Sequence, residues 1–311
     1  MEGDAFVIEN LQNYPKSYYN DVPTLWSERP MSAAEAWMPT RGVKKGEIMR
    51  LDANNREDRA FARRLMDDET PFVLTGVPEI LSIHDKWSLS YLEEQMSKKP
   101  VGVTKSSSST FLYFRSGGPL SGLLSSKPTS TADMKISDFF RQAQNNNVKK
   151  DEEHLYLQLT GNILNDPDYE WLRNDFDPVC SKKADNWFNQ GGKFSGVNLR
   201  IGMKDNQAKA HFDGGLNFIF QAFGTKRYLL SPPTECTRWH VYPRSHQSAR
   251  HTSLDLDNLD VDKYPDLKEL QAFYTVMKAG DALYIPGSWF HHMEALEFNG
   301  SVNCRSKVDT Q

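Results

Sequence analysis

The stretch that decides the fold of this chain runs His211-Phe-Asp-Gly-Gly-Leu-Asn-Phe-Ile-Phe-Gln-Ala-Phe-Gly-Thr-Lys-Arg-Tyr-Leu-Leu-Ser231. Its apolar, β-prone runs lie on either side of Gly224-Thr225, a pattern that predicts two strands joined as a hairpin. At its start, His211 and Asp213 are two residues apart, so on a strand both side chains leave the same face. One imidazole and one carboxylate would then converge on a single point.

A second stretch, residues 280–291, carries another histidine in a similar setting. It runs Gly-Asp-Ala-Leu-Tyr-Ile-Pro-Gly-Ser-Trp-Phe-His, which predicts a turn, a short strand and a second turn before His291. The order along the chain is therefore strand, hairpin, long excursion, turn and strand. That order suits a jelly-roll barrel, in which ligands converge inside the barrel mouth. We expect a mainly β fold with flanking helices, built as a double-stranded β-helix.

His211, Asp213 and His291 together would supply two imidazoles and one carboxylate. Bound to one face of a metal, this set leaves three positions open, which is the arrangement of non-heme Fe(II) oxygenases. The His-x-Asp triplet alone is weak evidence, because a surface strand with a hydrogen-bonded histidine has the same pattern. The distal histidine favours the metal site over that reading and over a barrel that has lost its metal. We predict that these three residues bind Fe(II) and form the catalytic centre.

Five segments carry a resemblance to a known family. They are HFD at 211–213, GTKRYLLSPP at 224–233, YPRSH at 242–246, LDNLDVDKYPDL at 256–267 and GDALYIPGSWFHH at 280–292. As a set they resemble the JmjC/cupin-like oxygenases that use Fe(II) and 2-oxoglutarate, above all the asparaginyl hydroxylases that act on hypoxia-inducible factor. The likeness spans residues 197–304 and extends weakly back to residue 71, and residues 1–60 show none.

The resemblance assigns roles to further residues. The pattern Pro286-Gly-Ser-Trp-Phe-His selects His291 as the ligand. His292 points to the opposite strand face, so we expect it either behind the ligands or facing outward. Lys226 matches the lysine that binds the distal carboxylate of 2-oxoglutarate, and a lysine inside a barrel needs such a partner. Tyr156 matches a tyrosine that contacts the same carboxylate, although a core tyrosine is nearly as good an interpretation.

Asn217 and Asn303 match polar residues that line the co-substrate pocket, and two other positions depart from the family pattern. Ala208 stands where the family has a threonine that bonds the co-substrate, so one hydrogen bond is missing or is supplied elsewhere. After Asn303 the family usually continues with aromatic residues, whereas this chain has Cys304 and Arg305. On a strand, Arg305 would leave the same face as Asn303 and could hold a substrate carboxylate in the barrel mouth. The alternative is a frayed last strand with Arg305 in solvent.

Composition limits the class of protein. The chain has 311 residues, of which 38% are hydrophobic, and a formal net charge of −4. It has no block of basic residues that would indicate nucleic-acid binding and no apolar run of about 18 residues that would span a membrane. Three cysteines without a CxxC pair indicate a reducing compartment and argue against disulfides. We expect a soluble, cytoplasmic protein, and the sequence leaves its oligomeric state open, with a monomer as one option.

The sequence thus predicts two parts and one class of reaction. Residues 1–70 would form an N-terminal extension that packs on the barrel, and residues 71–311 the JmjC-like catalytic domain. The enzyme would be a dioxygenase that uses Fe(II), 2-oxoglutarate and O₂ to oxidise an unactivated C–H bond by hydroxylation, ring closure or desaturation.

Two substrate classes remain open at this point. A small, carboxylate-bearing, amino-acid-like metabolite is favoured by Arg305 and by the chain stopping at Gln311, since the family's protein hydroxylases usually carry further helices. A protein side chain is the alternative, favoured by the nearest family likeness. A metal-binding barrel without catalysis is disfavoured by the ligand triad together with Lys226.

Overall fold

A computed structural model describes residues 46–114, 128–160, 166–181, 187–188, 194–244, 246–260 and 262–306, and the backbone of 31–32. The helices of this part are α1 Arg56–Asp67, α2 Pro78–Lys86, α3 Leu89–Met96, α4 Ile136–Ala143 and α5 Glu170–Phe176. The strands are β1 Met31–Ser32, β2 Arg50–Asp52, β3 Phe72–Thr75, β4 Val101–Ser106, β5 Thr110–Phe111, β6 Thr129–Met134, β7 His154–Leu159, β8 Phe194–Gly202, β9 Gln207–Phe212, β10 Leu216–Phe223, β11 Lys226–Ser231, β12 Gln271–Met277, β13 Ala282–Ile285, β14 Phe290–Ala295 and β15 Asn299–Ser306.

The strands form two sheets that face each other, which confirms the predicted jelly-roll class. The six-stranded sheet has the order β1-β12-β11-β14-β9-β5, and the nine-stranded sheet has the order β2-β3-β13-β10-β15-β8-β7-β4-β6. Neighbouring strands are antiparallel except for β2 with β3 and β5 with β9. Because β15 pairs with both β10 and β8, the last described strand lies inside the larger sheet and not at its edge.

The segment around Gly224-Thr225 is not a paired hairpin, and that prediction was wrong. β10 pairs with β13 and β15 in one sheet, whereas β11 pairs with β12 and β14 in the other. The connection is a corner between facing sheets, so both strands are covered on both sides and show no alternation of apolar and polar residues. Gly224 has φ +68°, and a Cβ there would lie 2.3 Å from the carbonyl oxygen of Phe298. Only glycine fits this corner without displacing the backbone.

The apolar cores lie mainly outside the two sheets. Helices α1 to α5 cover the outer face of the nine-stranded sheet, where Leu65, Phe139 and Phe176 join Leu199 and Val302 in one cluster. A second cluster covers the outer face of the six-stranded sheet and is centred on Trp239, Phe290 and Leu229 (the latter two from the sheet itself). A third cluster, which includes Ile219, Tyr228 and Phe273, lies between the sheets beside the polar side chains. Burial in these clusters stabilises the sandwich by roughly 25 cal/mol per Å² of apolar surface.

The expectation of reduced cysteines was wrong for two of the three. Cys180 follows α5 and Cys304 lies on β15, and their sulfur atoms form a disulfide across 124 residues of sequence. Cys236 is buried and free. The pairing depends on the outer face of β15 meeting the end of α5, which spacing along the chain does not reveal. The disulfide also removes the main argument for a reducing compartment.

The first 70 residues contribute directly to the sheets where the structure describes them. β2 pairs in parallel with β3, and β1 pairs with β12 at the edge of the smaller sheet. Residues 33–45 lie outside the described part, so the proposed division at residue 70 stays a prediction. In the described part of the chain, the helices are all too short or too polar to cross a membrane.

The disulfide generates a prediction about stability. Cys180→Ser and Cys304→Ser should each lower the free energy of unfolding of the oxidised protein by about 2–5 kcal/mol, because the unfolded chain loses a long-range crosslink. Urea denaturation with and without reducing agent measures this. Reductant should lower the free energy of unfolding of the wild type and leave that of both variants unchanged. Alkylation of three thiols in the denatured, unreduced wild type would contradict the assignment.

Candidate active site

Pairing between β9 and β14 brings the two predicted histidine ligands together. His211 and His291 are directly opposite Cα partners, and the register shifts between His291 and Met293 through a β-bulge. Bulges of this kind are frequent beside active sites, where they redirect a side chain. Asp213 follows β9, and its carbonyl accepts a hydrogen bond of 2.7 Å from the backbone of Ser288 in the turn before β14. The ligand atoms of His211, Asp213 and His291 all lie within 4.8 Å of one another.

Both histidines are oriented as metal ligands require. Nδ1 of His211 donates to the carbonyl of Lys209 at 2.8 Å, and Nδ1 of His291 donates to the carbonyl of Trp289 at 3.1 Å. A carbonyl can only accept, so each Nδ1 carries the proton and each Nε2 presents a lone pair when the ring is neutral. Burial lowers the pKa of both rings, and His291 and His251 lower that of His211 further. The donor set therefore fits a divalent ion such as Fe(II).

His292 lies on the opposite face of β14. It is 2% exposed, so it does not face solvent. Burial, together with Arg227, Lys209 and Lys150, lowers its pKa to about 3. The sequence left open whether this ring lies behind the ligands or faces outward. Its burial supports the position behind the ligands.

A cavity of about 560 Å³ lies between the sheets and contains the three candidate ligands. Tyr113 lines its open end and is 59% exposed, while Tyr156 and Lys226 line its inner end and are 5% and 1% exposed. The cavity therefore passes from solvent, past Asp213, to a buried cation.

Lys226 is held at the inner end of the cavity without a charged partner. Its Nζ donates to Oγ of Ser301 on β15 at 2.6 Å, and no ion pair involves it among the described residues. Burial and the nearby charge of Arg200 lower the pKa of Lys226 to about 7. An amine buried in this way is stabilised in its charged form by an anion.

Arg305 points into the cavity, which decides between the two positions that the sequence left open. Its Nη2 donates to Oδ2 of Asp213 at 2.7 Å, and its side chain is 36% exposed. Nη1 of Arg250 lies 3.4 Å from Oδ1 of the same carboxylate. Burial raises the pKa of Asp213, but the neighbouring His211 and Arg305 outweigh it and hold that pKa below the usual range.

The remaining predicted residues line the cavity, except for Asn217. Tyr156, Asn303 and Ala208 line it, and the ring of Tyr156 packs edge-on against Phe111 at 5.2 Å between centroids. Asn217 does not line the cavity and is buried on β10, opposite Arg305. Both polar atoms of its amide lack a hydrogen-bond partner in the described structure, which is unusual for a buried amide.

Sequence reasoning missed three residues of the cavity wall: Arg200, Arg250 and His251. The ring of His251 stacks on His211 with centroids 4.7 Å apart, and burial lowers its pKa to about 4. A signal for Arg200 was present, because Asn198 and Arg200 alternate with apolar residues along β8. Alternation of this kind normally indicates a solvent face, whereas here the polar side faces the cavity.

Comparisons with known proteins agree with this geometry. The sequence profile of a family described as a cupin-like domain matches residues 58–304. The chain is 28% identical over 282 residues to the tRNA wybutosine-synthesizing protein 5 of Homo sapiens, covering 85% of this chain and 81% of that protein. It is 24% identical over 269 residues to the Jumonji C domain-containing protein 5 of Drosophila melanogaster, covering 82% of this chain and 59% of that protein. A shorter match is to the lysine-specific demethylase JMJ30 of Arabidopsis thaliana. It is 28% identical over 138 residues and covers 44% of this chain and 31% of that protein.

The site geometry predicts which histidine binds metal. Wild-type protein should bind one Fe(II) or Mn(II) per chain. His211→Ala, Asp213→Ala and His291→Ala should each weaken binding by more than about 100-fold, beyond the loss from groups that only orient ligands. Calorimetry with Mn(II) on protein checked for folding by circular dichroism measures this. The matched variant His292→Ala should retain the metal. Metal loss in His292→Ala but not in His291→Ala would overturn the assignment.

Proposed function

The chain belongs to the cupin-like family of JmjC oxygenases, which depend on Fe(II) and 2-oxoglutarate, and we propose that its own substrate is a small, carboxylate-bearing, amino-acid-like molecule. The reaction is oxidation of an unactivated C–H bond by hydroxylation, ring closure or desaturation. The observation that carries the proposal is Arg305, whose guanidinium reaches the carboxylate of the candidate metal ligand Asp213 at 2.7 Å.

His211, Asp213 and His291 would hold the iron. When bound there, iron with 2-oxoglutarate activates O₂ for C–H oxidation while 2-oxoglutarate is converted to succinate and CO₂. The protein itself contributes by positioning the ligand side chains and by limiting water in the cavity. Hydrogen bonds donated by Nδ1 of each imidazole to the carbonyls of Lys209 and Trp289 fix the two rings. The apolar cluster between the sheets, which includes Phe111, Ile219 and Met293 of the cavity wall, limits access of water to the inner end.

Lys226 would bind the distal carboxylate of 2-oxoglutarate. The amine is buried, its only hydrogen bond in the described structure is to a neutral hydroxyl, and it lies in the same cavity as the triad. Tyr156 and Asn303 line the cavity as well and would contact the co-substrate. Asn217, the strand partner of Arg305, lies outside the cavity lining, so we assign it no contact with the co-substrate.

The charge of the cavity supports an anionic substrate. Five cationic side chains line it, whereas Asp213 is the one carboxylate among its described lining residues. A divalent metal adds two positive charges, and 2-oxoglutarate supplies two negative ones. A metal on Asp213 would also compete with Arg305 for that carboxylate, which would free the guanidinium for a second anion. A guanidinium cannot lose its charge, so a substrate carboxylate is the partner that fits.

The relatives favour a second candidate, a macromolecular substrate. Proteins named for tRNA wybutosine synthesis match four fifths of their own length, and a lysine-specific demethylase matches a shorter stretch. Arg250 and Arg305 at the cavity could contact a phosphate as well as a carboxylate. The formal net charge of −4 disfavours a broad nucleic-acid surface but not a local contact.

One experiment separates the three substrate classes. The iron-loaded protein is incubated under ¹⁸O₂ with 2-oxoglutarate and, in parallel, with a small-molecule extract, a proteome digest or total tRNA. Mass spectrometry then searches each arm for one incorporated oxygen or the loss of two hydrogens. The proposal expects the change in an acidic small molecule, with Asp213→Ala as the inactive control. If a nucleoside or peptide is modified and no metabolite changes, the small-molecule proposal is wrong and the macromolecular substrate takes its place.

Lys226→Ala should weaken 2-oxoglutarate binding by about 10- to 100-fold, because charge-assisted hydrogen bonds contribute roughly 1.5–3 kcal/mol. The wild type should also lose affinity as pH rises above about 7, by up to about tenfold per unit, since the free amine has its pKa lowered to about 7 and the anion binds the charged form. Calorimetry at several pH values measures both. The groups facing Lys226 are Arg200, Tyr156, Tyr228 and Ser301. Burial raises the pKa of both tyrosines, and a guanidinium in a protein stays protonated. Unaltered affinity in Lys226→Ala would refute this placement.

Arg305→Lys keeps the positive charge but loses the planar fork that binds a carboxylate at two points. It should raise the KM for the acidic substrate by about tenfold or more and spare the slow, substrate-independent formation of succinate. Succinate release with and without the identified metabolite measures this, and Mn(II) affinity serves as a check that Asp213 still binds metal. Equal losses of coupled and uncoupled turnover would instead make Arg305 a part of the metal site.

A further inference from the structure

We propose that Arg200 is a second binding residue for the distal carboxylate of 2-oxoglutarate, so that this carboxylate is held between two cations from facing sheets. The inference rests on the proposed place of the co-substrate at Lys226 and adds a residue that the family pattern does not assign. Ala208 lines the same cavity with no polar group, where the family threonine would have supplied a hydrogen bond. Arg200 is the residue that supplies the missing donor.

The strand register places Arg200 beside the Lys226 site. Arg200 on β8 is the Cα partner of Ser301 on β15, and Ser301 accepts the hydrogen bond from Lys226. Across β7, Arg200 is the partner of Gln158, one alternation away from Tyr156. Arg200, Lys226 and Tyr156 all line the cavity. A carboxylate that reached Lys226 would therefore also be close to the guanidinium of Arg200.

The guanidinium of Arg200 is half-buried, and one of its nitrogen atoms lacks a hydrogen-bond partner in the described structure. Its Nη1 is shielded from solvent and makes no hydrogen bond in the described structure. The ion pairs of the described residues include none to Arg200. Its electrostatic neighbours are Tyr156, Arg305, Asp213 and Tyr228. Asp213 is the carboxylate among them, and it already forms ion pairs with Arg305 and Arg250. A shielded cationic donor without an acceptor destabilises the ligand-free site, and an anion bound there would supply the acceptor.

Two facts favour the co-substrate over the oxidised substrate as the source of that anion. Arg200 shares a hydroxyl neighbour with Lys226 through Ser301, and its charge lowers the pKa of Lys226. Arg305, the proposed substrate contact, lies on β15 opposite Gly196, further along the strand toward Asp213. Carboxylates from the two molecules would thus meet different cations along one polar face of the nine-stranded sheet.

The test compares two 2-oxo acids of equal length. Under anaerobic conditions, 2-oxoglutarate and 2-oxopentanoate, which lacks the distal carboxylate, are titrated calorimetrically into the Fe(II)-loaded protein. Arg200→Met should weaken 2-oxoglutarate binding by on the order of 10- to 100-fold and leave 2-oxopentanoate unchanged. Arg200→Lys should give a smaller loss. Arg141→Met, which removes an exposed guanidinium on α4, should change neither.

Stability gives an independent readout. Because Arg200 has a shielded Nη1 that makes no hydrogen bond in the described structure, Arg200→Met should leave the melting temperature of the ligand-free protein unchanged or raise it. It should also reduce the further rise in melting temperature caused by 2-oxoglutarate. A residue with only a structural role would lower the melting temperature and weaken both 2-oxo acids equally, which would overturn the inference.

The remaining outcomes separate this inference from the function on which it rests. If Lys226→Met weakens 2-oxoglutarate binding and Arg200→Met does not, Arg200 has no part in the site and the placement at Lys226 stands. If neither variant weakens it, the placement itself fails. If Arg200→Met leaves the affinity for 2-oxoglutarate unchanged but raises the KM for the substrate that the enzyme oxidises, the carboxylate at Arg200 belongs to that substrate. The inference is then wrong.

Discussion

The antiparallel pairing of β9 with β14 is the constraint on which the rest of the site depends. It sets His211 opposite His291, and the register shift leaves two residues of β9 opposite the single residue His292. Ala208 and His211 therefore both line the cavity although they are three residues apart. A slip of one residue in this register would turn His291 away and put His292 in its place. The adjacent turn is anchored by the bond from Ser288 to Asp213, so the carboxylate is fixed by the same pair of strands.

The distribution of polarity explains how a sandwich can hold several cations inside. On β8 and β15 the apolar residues face outward against helices, and the polar residues face the opposite sheet. Leu199 and Val302 join the large outer cluster, while Arg200, Asn303 and Arg305 line the cavity. Much of the apolar packing therefore lies on the outer faces, away from the candidate site, and a third apolar cluster lies between the sheets beside the cavity. The cavity has unpaired donors that a packed core would exclude, and the proposed ligands would satisfy them.

The sequence predicted those features that depend on local patterns. The barrel class, the approach of His211, Asp213 and His291, and the inward position of Lys226 were all expected, because motifs and strand alternation determine them. The features that were missed or wrong depend on distant parts of the chain. The partners of β10 and β11 lie in different sheets, the disulfide joins Cys180 to Cys304, and neither is encoded in a short window. Arg200 was missed for another reason, since a polar strand face has the same pattern whether water or a cavity lies beside it.

The central position of β15 has a consequence for how this protein acquires its activity during synthesis. β8 and β10 are neighbours of β15 on either side and are not paired with each other. A nascent chain that ends before residue 299 therefore has an open slot in the larger sheet, with two unsatisfied strand edges. Ser301, Asn303 and Arg305 arrive together with that final strand, and Cys304 can form its crosslink only then. Folding of the cavity wall is thus a non-local event, in which the edges of β8 and β10 are exposed to misassembly until β15 has been synthesised and pairs with both.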